Sequence, residues 1–276
     1  MEISCLPVSL FSDITENRLT IIDWAQLAKK AGLKNIDLSC MFIKNNTPTY
    51  LDDLKSSLEK INMPIKMITT YPDFSNPDPL QRERELAYLK RDIAVASYLN
   101  VPYVRITAGQ SHVGLAVKDG IESVVENFKR SAEFADKMNV TLVYENHAKP
   151  GAWHTVDFSY ATDIFLEIAG KTEDTSIKIN FDTANPVAFK DENEPMKILP
   201  QVINRLGTVH IADTSTKGSL NHTVIGTGLV PFAEIFEYLK KSGYDGLLSI
   251  EEGSNTGFDG IKTAVDFVKE MWGERN

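Results

Sequence analysis

The sequence has few cysteines, no long apolar run and no excess of positive charge. Its two cysteines, Cys5 and Cys40, each lie in an apolar run, which indicates reduced thiols rather than a disulfide framework. No apolar run reaches the roughly 20 residues of a membrane helix, and the start, MEISCLPVSLFSD, lacks the basic and apolar regions of a signal peptide. The net charge of -9 opposes a general affinity for nucleic acid. We expect a cytoplasmic protein that binds neither membranes nor nucleic acid.

Short apolar runs rich in β-branched residues alternate with amphipathic stretches eight times. The predicted strands are EISCLPV (2–8), KNIDLSC (34–40), PIKMITT (64–70), PYVRITA (102–108), TLVYEN (141–146), SIKINFD (176–182), GTVHIAD (207–213) and GLLSIEE (246–252). A helix is predicted after each strand, and no linker rich in serine or glycine divides the chain. The pattern predicts an α/β fold, a single (β/α)8 TIM barrel, as one domain over residues 1–276.

A doubly wound sheet is the alternative fold, but the segment after the first strand, LPVSLFSDITEN (6–17), contains no glycine for a phosphate-binding turn. Gly226 and Gly228 form a GTG segment before the seventh helix instead. We interpret this segment as a turn and helix entry rather than a phosphate cradle.

Four consecutive predicted strands end near a residue that can bind a metal ion. These residues are Glu145, Asp182, His210 and Glu251. Singly, a carboxylate at a strand end usually caps a helix or pairs with lysine. The C-terminal strand ends of a barrel meet on one face, however, so all four should lie together. Three carboxylates and an imidazole suit a divalent cation, with Mn²⁺ favoured and Mg²⁺, Co²⁺ and Zn²⁺ as alternatives.

Five segments resemble the xylose-isomerase-like barrels, the superfamily of sugar-phosphate isomerases and epimerases that includes endonuclease IV. They are LVYENH (142–147), INFDTAN (179–185), VHIADT (209–214), VIGTGLVPF (224–232) and GYDGLLSIEE (243–252). The resemblance implies that the four residues bind one catalytic metal ion, and that Glu145 and Glu251 also act as the acid/base pair. It also implies self-association into a homo-oligomer. The three-metal cluster of an endonuclease IV needs several additional histidine ligands, and this chain has only five histidines in all.

Further polar and aromatic residues are candidates for catalysis or substrate binding. His147 follows Glu145 by two residues, so in a strand it shares that face; it is either catalytic or a residue that orients a carboxylate. Two positions depart from the epimerase pattern: Asn185 replaces a histidine, and Lys217 lies where an arginine is common. The remaining substrate-binding candidates are Trp153 and His154, in the loop at 149–158, with Tyr71 and Arg105, which follow or end strands three and four. Arg105 is alternatively a partner of a neighbouring carboxylate.

The resemblance favours a metal-dependent isomerase or epimerase that acts on a keto-sugar or keto-sugar phosphate. Its chemistry would be removal of a proton next to the carbonyl to give a metal-stabilised enediolate. One alternative is a metal-dependent lyase or dehydratase that eliminates a group β to the ketone of a 3-keto-glycoside or keto-cyclitol. The other is a non-catalytic binding subunit, which the intact set of four metal-binding residues opposes.

Overall fold

Eight parallel strands form one sheet in the computed structural model, which describes residues 1–151 and 153–273. The strands are β1 (Glu2–Leu6), β2 (Ile36–Ser39), β3 (Ile65–Thr69), β4 (Tyr103–Ile106), β5 (Thr141–Glu145), β6 (Lys178–Asp182), β7 (Leu206–Ile211) and β8 (Leu247–Glu251). All eight predicted strands and the (β/α)8 barrel are confirmed. Position 152 of the predicted substrate loop and positions 274–276 of the predicted domain lie outside the described residues.

The sheet closes on itself almost completely. Hydrogen-bonded neighbours follow the order β1-β8-β7-β6-β5-β4-β3-β2. Side chains connect β1 to β2 and to the residue before it: Asn35 Nδ2 donates to the Ile3 carbonyl at 3.1 Å, and the Ser4 hydroxyl donates to Asp37. Ser249 of β8 also donates to Asp37, at 2.6 Å, so one buried carboxylate ties three strands together inside the barrel.

Helices connect the strands and surround the sheet. They are α1 (Phe11–Thr15), α2 (Ile21–Lys30), α3 (Pro48–Ile61), α4 (Pro79–Tyr98), α5 (Val117–Lys137), α6 (Thr162–Lys171), α7 (Asn185–Phe189), α8 (Pro195–Val202), α9 (Phe232–Lys241) and α10 (Phe258–Trp272). The eight predicted helices are present, and the short helices α1 and α7 are additional.

Local sequence signals set several of these helix boundaries. A capping box between Thr20 and Asp23 begins α2. Asn62, in the left-handed conformation at φ 53°, ends α3. The inner faces then pack on the sheet, as Ile121, Val124 and Phe128 of α5 do. No helix in the described ranges has both the length and the apolar character needed to cross a membrane. Cys5 and Cys40 are free thiols, as predicted.

The Asp213 carboxylate fastens the loop between β7 and α9. Its Oδ2 accepts the backbone N–H groups of Gly226 and Gly228 at 3.0 and 2.8 Å, and its Oδ1 accepts those of Thr214 and Val230. Gly226 has φ +90°, and a Cβ on Gly228 would lie 2.3 Å from Asp213 Oδ1. The GTG segment is therefore a turn, as predicted, and a carboxylate of the same chain binds its N–H groups.

Replacing Asp213 tests this role. Asp213→Ala leaves four N–H groups without their acceptor, so we expect the free energy of unfolding to fall by about 2–4 kcal/mol in urea denaturation. Asp266→Ala, which removes a partly exposed carboxylate paired with Lys262, is the control and should change the free energy of unfolding by less than about 1 kcal/mol. Equal effects of the two changes would contradict the assignment.

Candidate active site

The four predicted metal ligands meet at the C-terminal end of the barrel. One ligand atom from each of Glu145, Asp182, His210 and Glu251 lies within 4.8 Å of every other. His210 Nδ1 is 2.7 Å from Glu145 Oε1 and 3.8 Å from Glu251 Oε2. Three of the side chains are buried, and the Glu251 side chain is 15% exposed. Four adjacent strands therefore deliver these groups to one point.

Burial and the neighbouring charges shift the pKa values of Asp182 and His210. Burial raises the pKa of Asp182 well above its usual value, and the Glu145 and Glu251 carboxylates raise it further. Burial lowers the pKa of His210, but the charges of Glu145 and Glu251 outweigh this and raise it to about 9. The imidazole therefore carries a positive charge at neutral pH, among carboxylates that favour any cation placed there.

The Asp182 carboxylate is oriented for a cation. Its Oδ1 accepts the backbone N–H groups of Ala184 and Asn185 at 2.8 and 2.7 Å. Its Oδ2 is buried and has no hydrogen-bond partner in the described part of the chain. Asn146 holds the strand end, because its amide donates to the Asp182 carbonyl at 3.0 Å and accepts the Asp182 N–H at 2.8 Å. These oxygen and nitrogen donors fit a divalent metal ion, so the group could hold one.

Arg105 is a buried counter-charge to Glu145. Its Nε lies 2.9 Å from Glu145 Oε2, as an ion pair rather than an aligned hydrogen bond, and its Nη1 donates to the Thr70 carbonyl at 2.9 Å. The guanidinium stacks on the Tyr71 ring, 4.7 Å from its centroid. Burial acts to raise the pKa of Glu145, but His210 and Arg105 together lower it to about 2. Glu145 is therefore a firmly ionised carboxylate.

A cavity of about 560 Å³ opens next to this group. Five of the residues singled out from the sequence line it: Tyr71, Arg105, His147, Asn185 and Glu251. Its volume suits a small molecule. Arg105 lines the cavity and also pairs with the Glu145 carboxylate, and its contact with a substrate stays a prediction.

Three predicted substrate-binding residues are not among the described residues that line the cavity. Trp153 is buried and packs edge-on against His147, with ring centroids 6.1 Å apart. His154 is exposed, and Lys217 is exposed and lies 3.5 Å from Glu192. Their contacts with a substrate stay predictions.

Three residues at the site were not predicted from the sequence. His222 and Lys149 line the cavity, and Asn146 orients Asp182. The one signal for Asn146 was its position directly after Glu145, the last residue of β5. A buried amide at that place can form hydrogen bonds with the backbone of the next strand. His222 and Lys149 lie in loops, whose course no periodicity predicts.

Removing Arg105 should destabilise the metal-free protein. Arg105→Met removes one of the two cationic partners of the buried Glu145, because His210 remains, and leaves Oε2 without a partner, at a cost of about 1–3 kcal/mol in the free energy of unfolding. Arg105→Met combined with Glu145→Gln removes both charges and should recover at least half of that loss. A loss below about 1 kcal/mol for the single variant, measured by urea denaturation, would show that the pair contributes little.

Comparison with known proteins identifies the family. The model of the family described as "Xylose isomerase-like TIM barrel" matches residues 25–271. L-ribulose-5-phosphate 3-epimerase UlaE of Shigella flexneri serotype 5b is 23% identical over 267 residues, which cover 95% of this chain and 84% of that protein. Two solved structures share the fold at 17% identity and a TM-score of 0.79. One is a D-tagatose 3-epimerase-like protein (98% of this chain, 97% of the other), and the second is the IolI protein with a bound zinc atom (99% and 98%). The chain belongs to the xylose isomerase-like TIM barrel family.

Proposed function

We propose that the protein is a divalent-metal-dependent isomerase or epimerase that acts on a keto-sugar or keto-sugar phosphate. One observation carries this proposal: Glu251 belongs to the group of three carboxylates and one imidazole, and it also lines the cavity. The relatedness to UlaE, a sugar-phosphate 3-epimerase, supports the same reaction class.

The metal ion would be held by Glu145, Asp182, His210 and Glu251. We propose Mn²⁺, with Mg²⁺, Co²⁺ and Zn²⁺ as alternatives. Such an ion supplies a Lewis acid for the carbonyl and hydroxyl oxygens of a keto-sugar. Arg105 keeps Glu145 ionised and in place, and the N–H groups at Asp182 Oδ1 fix that carboxylate.

Glu251 is the proposed base for the proton next to the carbonyl. It belongs to the metal-binding group, lines the cavity and is partly exposed, so a substrate can reach its carboxylate. When the C–H bond breaks, its electron pair enters the enediolate and the proton moves to the carboxylate. Returning a proton from the opposite face inverts the carbon.

Two residues are candidates for this second proton transfer. Glu145 is fully buried and is not among the described residues that line the cavity. His147 lines the cavity. This geometry favours His147, and the acid/base role of Glu145 stays a prediction.

Solvent exchange tests the proposal. Metal-loaded protein in D₂O, with a panel of ketoses, ketose phosphates and 3-keto-glycosides, should exchange the C–H next to the carbonyl of at least one member, as followed by NMR. Glu251→Gln should slow exchange at least about 100-fold. Glu237→Gln, which changes an exposed glutamate on α9, should leave it unaltered.

The outcomes separate the competing functions. An epimer or isomer as product supports the proposal, whereas an eliminated group identifies a lyase. Exchange that survives Glu251→Gln removes Glu251 from the base role. If metal-loaded protein exchanges the C–H of no member of the panel, the proposed activity is contradicted.

Metal affinity should rise with pH. The His210 pKa of about 9 means that a binding ion must displace a proton at neutral pH, and the raised pKa of Asp182 acts in the same direction. Between about pH 6.5 and 8.5 we expect the Mn²⁺ affinity to increase up to about tenfold per pH unit. Calorimetry in buffers of different ionisation enthalpy would measure the released protons, and a pH-independent affinity would contradict this account.

A further inference from the structure

His147 stands between the cavity and a buried carboxylate that the proposed chemistry does not use. His147 lines the cavity, yet its Nδ1 is shielded from solvent. That nitrogen lies 3.4 Å from Asp157 Oδ2. The other edge of the ring, which carries Nε2, is therefore the one that meets the cavity.

Asp157 is built into the loop that follows β5. Its side chain is fully buried, and its Oδ1 accepts both the backbone N–H and the hydroxyl of Ser159 at 2.7 Å. Its backbone pairs with that of Gln110 in an antiparallel bridge. These contacts fix the carboxylate and satisfy one of its oxygens.

The other oxygen, Oδ2, and His147 Nδ1 have only each other. Neither atom has a hydrogen-bond partner of good geometry among the described residues. Their 3.4 Å separation is just above the usual hydrogen-bond range, so a small rotation of the ring or the carboxylate completes the bond. Leaving both atoms unpaired in a buried place would be costly, which favours that bond.

Trp153 holds the ring of His147 from a second direction. The two rings meet edge to face, at an interplanar angle of 87° and a centroid distance of 6.1 Å. Trp153 is 8% exposed. It therefore restricts the rotation of the imidazole, and Asp157 selects which nitrogen points inward.

We propose that Asp157 is a positioning residue that accepts the Nδ1–H of His147 and leaves the Nε2 lone pair directed at the cavity. In this arrangement the Asp157 carboxylate accepts the Nδ1–H, and Nε2 is the acceptor nitrogen of that tautomer. Nε2 then receives the hydrogen bond or the proton of a substrate hydroxyl. The part of this inference that concerns substrate rests on the proposed function; the tautomer does not.

Nitrogen-15 NMR of histidine-labelled protein at about pH 8 reads the tautomer without any substrate. His147→Gln assigns the His147 signal among the five histidines. We expect a protonated Nδ1 and an unprotonated Nε2 in the unaltered protein. In Asp157→Asn the amide can donate to Nδ1, so the proton should move to Nε2. Asp213→Asn changes another buried aspartate on this end of the barrel and should leave the His147 signal where it was.

Kinetics with the panel member that shows exchange supply a second readout. Asp157→Asn should lower kcat about 10- to 100-fold and change KM by less than about threefold. In the His147→Gln background the same change should add less than about a twofold loss, because its target is already gone.

Three results would overturn the proposal: a protonated Nε2 in the unaltered protein, an unchanged tautomer in Asp157→Asn, or losses that multiply in the double variant. If no panel member exchanges, the proposed activity fails, while the tautomer still decides the role of Asp157.

Discussion

The crowding of three carboxylates around one imidazole is the constraint on which the rest of the site depends. Charges this close and this deeply buried need compensation, and the chain provides it in parts. His210 holds a proton, Arg105 pairs with Glu145, and backbone N–H groups satisfy one oxygen of Asp182. A divalent cation would take the place of the His210 proton and would give a partner to the carboxylate oxygen of Asp182 that has none within the described residues.

The barrel tolerates this arrangement because the residues that stabilise the fold and those of the candidate site lie in different parts of it. Apolar residues of the helices pack on the outside of the sheet, and polar side chains of neighbouring strands contact one another inside it, as Asp37 does with Ser4 and Ser249. The loops are then free to shape the cavity. Where they need a fixed course, a buried aspartate supplies it, as Asp213 does after β7 and Asp157 after β5.

Much of the fold and the grouping of the four candidate metal ligands could be predicted. The fold follows from the periodicity of the apolar residues, and the grouping follows from the position of these four residues at strand ends. Strand and helix alternation predicted the barrel, and parallel strands place Glu145, Asp182, His210 and Glu251 on one rim. Contacts between loops could not be predicted in this way. The pairing of His147 with Asp157 depends on tertiary contacts made after the end of β5, where Trp153 is buried and His154 is exposed. The short helices α1 and α7 carry too few residues for a periodic signal.

The central claim is that these four residues bind one divalent metal ion beside the cavity. Anomalous diffraction from crystals grown with Mn²⁺ tests it most directly. We predict one strong anomalous peak, about 2.0 to 2.3 Å from a ligand atom of each of Glu145, Asp182, His210 and Glu251. The claim would be contradicted if crystals with saturating Mn²⁺ gave an anomalous peak elsewhere and none among these four side chains.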